Sequence, residues 1–268
     1  MKSFLTRLIS GIVLLAIIIA TGLAGGPVLF AFTLAISLIG YWEFLRVFQL
    51  EKKLPGFLGM IFVILYYGSV YAGEALVSVG PLILVAFLMT LMAVYVFTFP
   101  KYMTEEIMAA LFGFVYVAVM LSFLYQTRML PVEGKDSSVL YWLIFICSWG
   151  CDTCAYAVGI LIGKHKMAPV LSPKKSIEGG IGGVVGAALL GYLYGTFFTP
   201  SAMGCAVFCA AGAVLSQIGD LAASAIKRNH NIKDYGHLIP GHGGILDRFD
   251  SVIFTAPVIY ILAAMVIH

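Results

Sequence analysis

Long apolar runs, each closed by a short polar break, recur along the whole of this chain. They are Leu8–Leu23, Pro27–Phe44, Phe57–Tyr71, Pro81–Phe99, Ile107–Tyr125, Val139–Ile162, Ile181–Phe198, Met203–Ile226 and Ser251–Ile267. Most are long enough to cross a hydrocarbon core as a helix. They lack the apolar–polar alternation of barrel strands, and in lipid a helix satisfies its own backbone hydrogen bonds. The pattern predicts an all-α, polytopic integral membrane protein with about nine transmembrane helices. The third run is short. The first follows Lys2 and Arg7 as a signal-peptide core would, but no small-residue cleavage site precedes the next run, so it is expected to remain a helix.

Composition agrees. Apolar residues make up 61% of the 268 positions and charged residues 11%, against about 25% charged in a soluble domain. The net charge of +3 conceals an uneven distribution. With nine spans and the N-terminus in the cytoplasm, only Arg128 and Lys135 of the 16 Lys and Arg residues fall outside, as the enrichment of cytoplasmic loops in positive charge requires. The expected location is the inner (plasma) membrane, multi-pass, with the polar loops facing the cytoplasm. Such a face suits anionic lipid headgroups and nucleotides, although topology alone would also produce it. No nucleic-acid partner is expected.

Residues 1–137 are bland, apolar helices with short loops, and serve as a scaffold; residues 138–268 hold the chemistry. Ionisable residues inside a bilayer cost at least ~2.5–3.5 kcal/mol at its centre and point to function. Asp152 sits in the sixth run, in Cys151-Asp-Thr-Cys154. That cysteine pair has metal or redox spacing, but no second pair or nearby His completes a zinc site, so the five cysteines are expected in helix packing. In the eighth run, offsets of four and seven place Ser216, Asp220, Ser224 and Lys227 on one face, which should point to the bundle interior or a wet cavity. Ser172-Pro173 is a helix-start signal. It would put Lys174 and Lys175 in a first turn, where an anion would have to balance them. Small residues such as Gly182 and Gly186 would permit a homodimer or packing within one chain. Glu43, beside Trp42 and Arg46, is expected as an interfacial anchor or ion pair. His165, His230, His237 and His268 are expected as surface or packing residues.

The loop after the eighth run holds Lys233-Asp234, Gly236, Pro240-Gly-His242-Gly243-Gly244 and Asp247-Arg248-Phe-Asp250. Its proline and glycines argue for a tight turn with exposed amides, which suits phosphate. Asp247 and Asp250, three apart, share a face at the start of the last helix. Acids interleaved with Lys, Arg and His beside such a turn are the materials of metal-assisted phosphoryl chemistry.

From Ser224 to Asp250 these residues and spacings resemble the signature of the phosphatidate cytidylyltransferase (CDP-diacylglycerol synthase) family. The block Ser172-Pro-Lys-Lys-Ser-Ile-Glu-Gly is similar to a second motif of that family, with Ile177 where an aromatic is common. The resemblance implies a Mg²⁺-dependent nucleotidyltransferase of phospholipid biosynthesis, which joins CTP and phosphatidic acid into CDP-diacylglycerol and releases pyrophosphate. For that reaction Asp220, Asp247 and Lys175 are expected to be catalytic, and Asp220, Asp247 and Asp250 to be metal ligands, with Asp152 a further candidate and room for a second cation. Lys174, Lys175, Ser224, Lys227, Arg228, Lys233, His242, Gly243, Gly244 and Arg248 are the expected substrate-binding residues. The diacylglycerol chains would stay among membrane lipids and reach the site sideways. A CTP-dependent lipid-alcohol kinase is the nearer rival. An ion-coupled transporter would spread its polar residues over both halves, whereas here they cluster in one.

Overall fold

The structure is a computed structural model that describes residues 2–73, 79–131, 137–199 and 201–267; Lys135 and His268 lie outside them. Nine helices among the described residues are long and apolar enough to cross a membrane. These are α1 Lys2–Ala24, α2 Gly26–Val47, α3 Leu54–Tyr71, α4 Val79–Phe97, α5 Thr104–Arg128, α6 Ser138–Ile162, α7 Ile177–Phe198, α8 Ala202–Asn229 and α9 Leu246–Ile267. Their order follows the apolar runs, and the ends move by a few residues. Two shifts matter for function. Helix α9 begins at Leu246, which brings Asp247 and Asp250 into its first turns, and α8 continues to Asn229, which puts Lys227 and Arg228 in its last turn, where the dipole favours cations. Many large side chains on these helices are exposed, among them Leu82, Met89, Leu161 and Leu189. A surface that apolar suits lipid rather than water.

The expected helix start at Ser172-Pro173 is corrected. Residues Ser172–Ser176 form a strand, β2, paired antiparallel with β1, Lys166–Ala168, so that Lys166 faces Ser176 and Ala168 faces Ser172. Ser176 takes the capping role instead, with extended backbone and an Oγ that accepts the Gly179 N–H at 3.1 Å. Glu178 strengthens this corner by accepting from the Lys164 and His165 backbone N–H groups and pairing with the His165 ring at 2.6 Å. A strand alternates its side chains between faces. Lys174 and Lys175 therefore diverge: the first is exposed, the second half-buried.

The chain forms two compact units, one of residues 1–125 with 234–248 and the other of residues 126–233 with 249–268. In the first, Tyr41, Phe44, Tyr67, Phe87 and Phe114 are fully buried. The Tyr41 hydroxyl donates to the Ala110 carbonyl at 2.9 Å, and Tyr67 shares a hydrogen bond with Ser37, so these two buried hydroxyls are each partnered. Gly113 admits the Phe44 ring, and any Cβ there would collide with it. In the second unit, glycines on α7 meet cysteines on its neighbours. Gly183 and Gly186 lie against Cys151 and Cys154 of α6, and Gly191 and Gly195 against Cys209 and Cys205 of α8. The five cysteines are free thiols; these four fill the close crossings on α7, as small residues do between membrane helices, and Cys147 lies against Gly212 of α8. Gly182 likewise receives Val158, so the Gly182–Gly186 face is used within the chain.

Candidate active site

Within the second unit the polar stripe of α8 turns inward. Ser216 and Lys227 are buried and Asp220 is partly buried, while Val214 and Ile218 on other faces are exposed. Strand β2 delivers Lys175 to this stripe, where its Nζ donates to Asp220 Oδ2. Asp250 of α9 lies close enough to Asp220, Lys227 and Asp152 for their charges to act on it. Asp152 lies two residues beyond a π-helical turn at Ile146–Gly150, a distortion that often accompanies functional sites. Three carboxylates and two ammonium groups thus share one partly buried region. The Ser216 hydroxyl, one helical turn from Asp220, is fully buried with no hydrogen-bond partner among the described residues, although buried hydroxyls normally have one.

The first unit contains the Gly-rich loop. Ile239-Pro240-Gly241-His242 forms a tight turn in which the His242 N–H donates to the Ile239 carbonyl at 2.9 Å and Gly241 adopts φ +77°, as the third position of a type II turn requires. Gly243 also has positive φ, and its carbonyl accepts from the Ile239 N–H at 2.8 Å. The His242 ring shares a 2.8 Å hydrogen bond with Ser10 of α1, whose Oγ also lies 3.0 Å from the Pro240 carbonyl oxygen. Burial holds the His242 imidazole below its ordinary pKa, and the charges of Arg248 and Arg7 push it the same way.

Two buried carboxylates fix the end of this loop. Asp247 Oδ2 accepts the backbone N–H groups of Tyr235 at 2.8 Å and Gly244 at 3.0 Å. Glu43 of α2 accepts those of Ile245 at 3.1 Å and Leu246 at 2.8 Å, one on each oxygen. The expected role of Glu43 is therefore corrected. It is 2% exposed and so buried rather than interfacial, and its carboxylate serves the loop; Arg46, 5.0 Å from the centre of the Trp42 ring, is still near enough for its charge to act on Glu43. Glu43, Ser10 and Arg7 were missed in sequence. The signal for Glu43 was present, since an acid inside an apolar run deserves the functional reading already given to Asp152. Beside the loop lies a mostly apolar cavity of about 510 Å³, lined by Leu38, Ile39, Trp42, Arg46 and Leu238 with Glu43 in its wall.

Of the other expected site residues, Lys174, Arg228 and Lys233 are exposed to solvent, and Ser224 and Arg248 are half-buried. His165, His230 and His237 are exposed. Among the described residues no three His, Cys, Asp or Glu side chains converge as a ready-made metal cage. The donors nonetheless suit Mg²⁺, a hard ion that prefers oxygen. It is usually held by one or two carboxylates and completed by water and substrate phosphates, and Asp220 and Asp250 offer such oxygens beside the unpartnered Ser216 hydroxyl.

Comparison with known proteins gives one consistent result. The model of the cytidylyltransferase family matches residues 5–266. A phosphatidate cytidylyltransferase of Staphylococcus aureus (strain COL) is 33% identical over 260 residues, covering 96% of this chain and 97% of its own. One of Staphylococcus haemolyticus is 32% identical over 262 residues with the same coverage, and one of Staphylococcus epidermidis is 33% identical over 260. Matched along nearly its whole length by both kinds of comparison, the chain belongs to the cytidylyltransferase family.

Proposed function

We propose that this protein transfers the cytidylyl group of CTP to phosphatidic acid, making CDP-diacylglycerol for phospholipid biosynthesis. A phosphate oxygen of the lipid attacks the α-phosphorus of CTP, a new P–O bond forms, the bond to the β-phosphate breaks, and pyrophosphate leaves. The nucleophile is already anionic, so no strong base is required. The task is to bring two anions together and stabilise charge on the leaving group, which positioning and fixed positive charge accomplish. The observation that carries this reading is the grouping of Lys175, Lys227, Asp220, Asp250 and Asp152 in a chain matched end to end by the family.

Lys175 and Lys227 meet phosphate oxygens from within the cluster, and Lys174, Arg228 and Lys233 meet them from the solvent side. Ser224, His242, the Gly243 and Gly244 backbone and Arg248 complete the proposed substrate contacts. Mg²⁺ would be held by Asp220 and Asp250, with Asp152 a further ligand or a partner of the lysines, and would neutralise phosphate charge as a Lewis acid. Asp247 keeps its assignment as a catalytic and metal-binding residue on the strength of the signature. The diacylglycerol chains stay among the membrane lipids and reach the site sideways. The bias of Lys and Arg supports a cytoplasmic N-terminus and an active site facing the cytoplasm of the inner membrane.

The test is the product itself. Purified protein in detergent, given radiolabelled CTP, phosphatidic acid and Mg²⁺, should form a labelled lipid and one pyrophosphate for each. Labelled CMP release without labelled lipid, or phosphate transfer to diacylglycerol instead, would sink the reading.

A further inference from the structure

Helix α9 starts without a cap of its own. The residue before Leu246 is Ile245, which has no side-chain oxygen, and Asp247 folds back to the Tyr235 and Gly244 amides. The first free N–H groups of a helix need an acceptor, and here Glu43 supplies it from 202 residues away in the chain. The loop is shaped around that carboxylate. A Cβ on Gly236 or on Gly244 would collide with the Glu43 oxygens, and both glycines have negative φ, so the close approach rather than the backbone angle demands glycine there. Glu43 and Asp247 are also near enough for each charge to be felt by the other. Two carboxylates that repel are thus held by four backbone N–H groups between residues 235 and 246. That arrangement fixes the position and direction of Asp247 and Arg248.

We infer that Glu43 is a positioning residue for the transfer reaction: a carboxylate of α2 that caps α9 from a distance and sets the direction of Asp247 and Arg248. The inference rests on the proposed role of that signature segment. The hydrogen bonds of Glu43 go to the backbone N–H groups of Ile245 and Leu246, so its loss should lower turnover through the loop while leaving CTP binding nearly unchanged. Glutamine has the same size but one accepting oxygen, with an NH₂ group aimed at the other N–H. Alanine has none.

The experiment compares Glu43→Gln, Glu43→Ala and Gly244→Ala with the unaltered protein in detergent. It records kcat and KM for both substrates, the thermal midpoint, and hydrogen–deuterium exchange of residues 234–248. The expected result is a graded loss of kcat, about tenfold or more for Gln, in line with one charge-assisted hydrogen bond, and larger for Ala. KM for CTP should stay within about twofold. Exchange should rise in residues 234–248 while α2–α5 stay protected. Gly244→Ala, which presses on the same carboxylate from the loop side, should reproduce the pattern even if Glu43→Ala does not fold. Full turnover in Glu43→Gln, or a loss of turnover matched by exchange throughout the first unit, would overturn the inference. An active Asp247→Asn protein would instead overturn the reading on which it rests.

Discussion

Replacing Lys175 by Met removes the ammonium that occupies Asp220, and the consequence for metal binding can be worked out. The Lys175–Asp220 pair is partly buried, with 27% and 24% of the two side chains exposed. Such charge-assisted hydrogen bonds are worth about 1.5–3 kcal/mol. A cation that binds Asp220 must first displace or share this partner. Removing the competitor should therefore lower the half-saturating Mg²⁺ concentration by about 10- to 100-fold, since about 1.4 kcal/mol is a factor of ten. Turnover should move the other way, because a charge proposed to meet phosphate is lost; a fall of about 10²-fold is typical for a donor that acts on developing charge. The assay is pyrophosphate release at saturating CTP and phosphatidic acid with Mg²⁺ varied, Lys175→Met beside the unaltered protein. A variant that needs as much Mg²⁺ as before, or more, would refute competition at Asp220. Intact turnover would remove Lys175 from the site.

Further outcomes follow from other parts of the fold. Gly183→Ala would place a Cβ 2.9 Å from Cys151 Sγ and 3.0 Å from the Cys151 carbonyl oxygen; overpacking of this kind costs about 1–3 kcal/mol, and a thermal midpoint in detergent that does not fall would contradict the packing described. Ser176→Ala removes the cap of α7 and should cost about 1 kcal/mol, seen as a lower midpoint and faster exchange at residues 177–180; unchanged exchange there would count against the cap. His242 has a lowered pKa in the folded protein, so the unfolded chain takes up its proton first as pH falls. Its stabilising contribution is full above about pH 6.5 and is lost as pH drops from there towards the lowered value. The midpoint should fall between pH 7.5 and 5, and fall less in His242→Asn; equal slopes would show that His242 is not responsible.

The spans were legible because a helix in lipid must be apolar along its whole length, so each of the nine runs became a long helix among the described residues. The inward stripe of α8 was legible for the same reason, since Asp220 and Lys227 have no tolerable alternative to the interior. The turn at Pro240-Gly241 was written in its residue types. Strand β2 was hidden because Ser172-Pro173 carries a real helix-start signal, and only pairing with β1, a tertiary contact, overrides it. With the strand goes the idea that Lys174 and Lys175 act side by side. Glu43 was hidden differently. Trp42 and Arg46 beside it read as an interfacial cluster, and nothing local shows that the N–H groups it serves lie at residues 245 and 246. The backbone role of Asp247 was equally invisible, since a carboxylate in a motif looks the same whether it binds an ion, a loop or both.

The most direct test of the account uses that last residue. Asn at position 247 keeps an oxygen able to accept the Tyr235 and Gly244 N–H groups, so the loop should hold while a negative charge is lost. The measurement is CDP-diacylglycerol formation from CTP and phosphatidic acid by Asp247→Asn, with the thermal midpoint recorded on the same sample. The account predicts a midpoint close to that of the unaltered protein and product formation lower by about 10²-fold or more, as for loss of a group that acts electrostatically in the transition state. Product formation near the original rate would show that Asp247 serves only the loop, and would contradict the proposed active site.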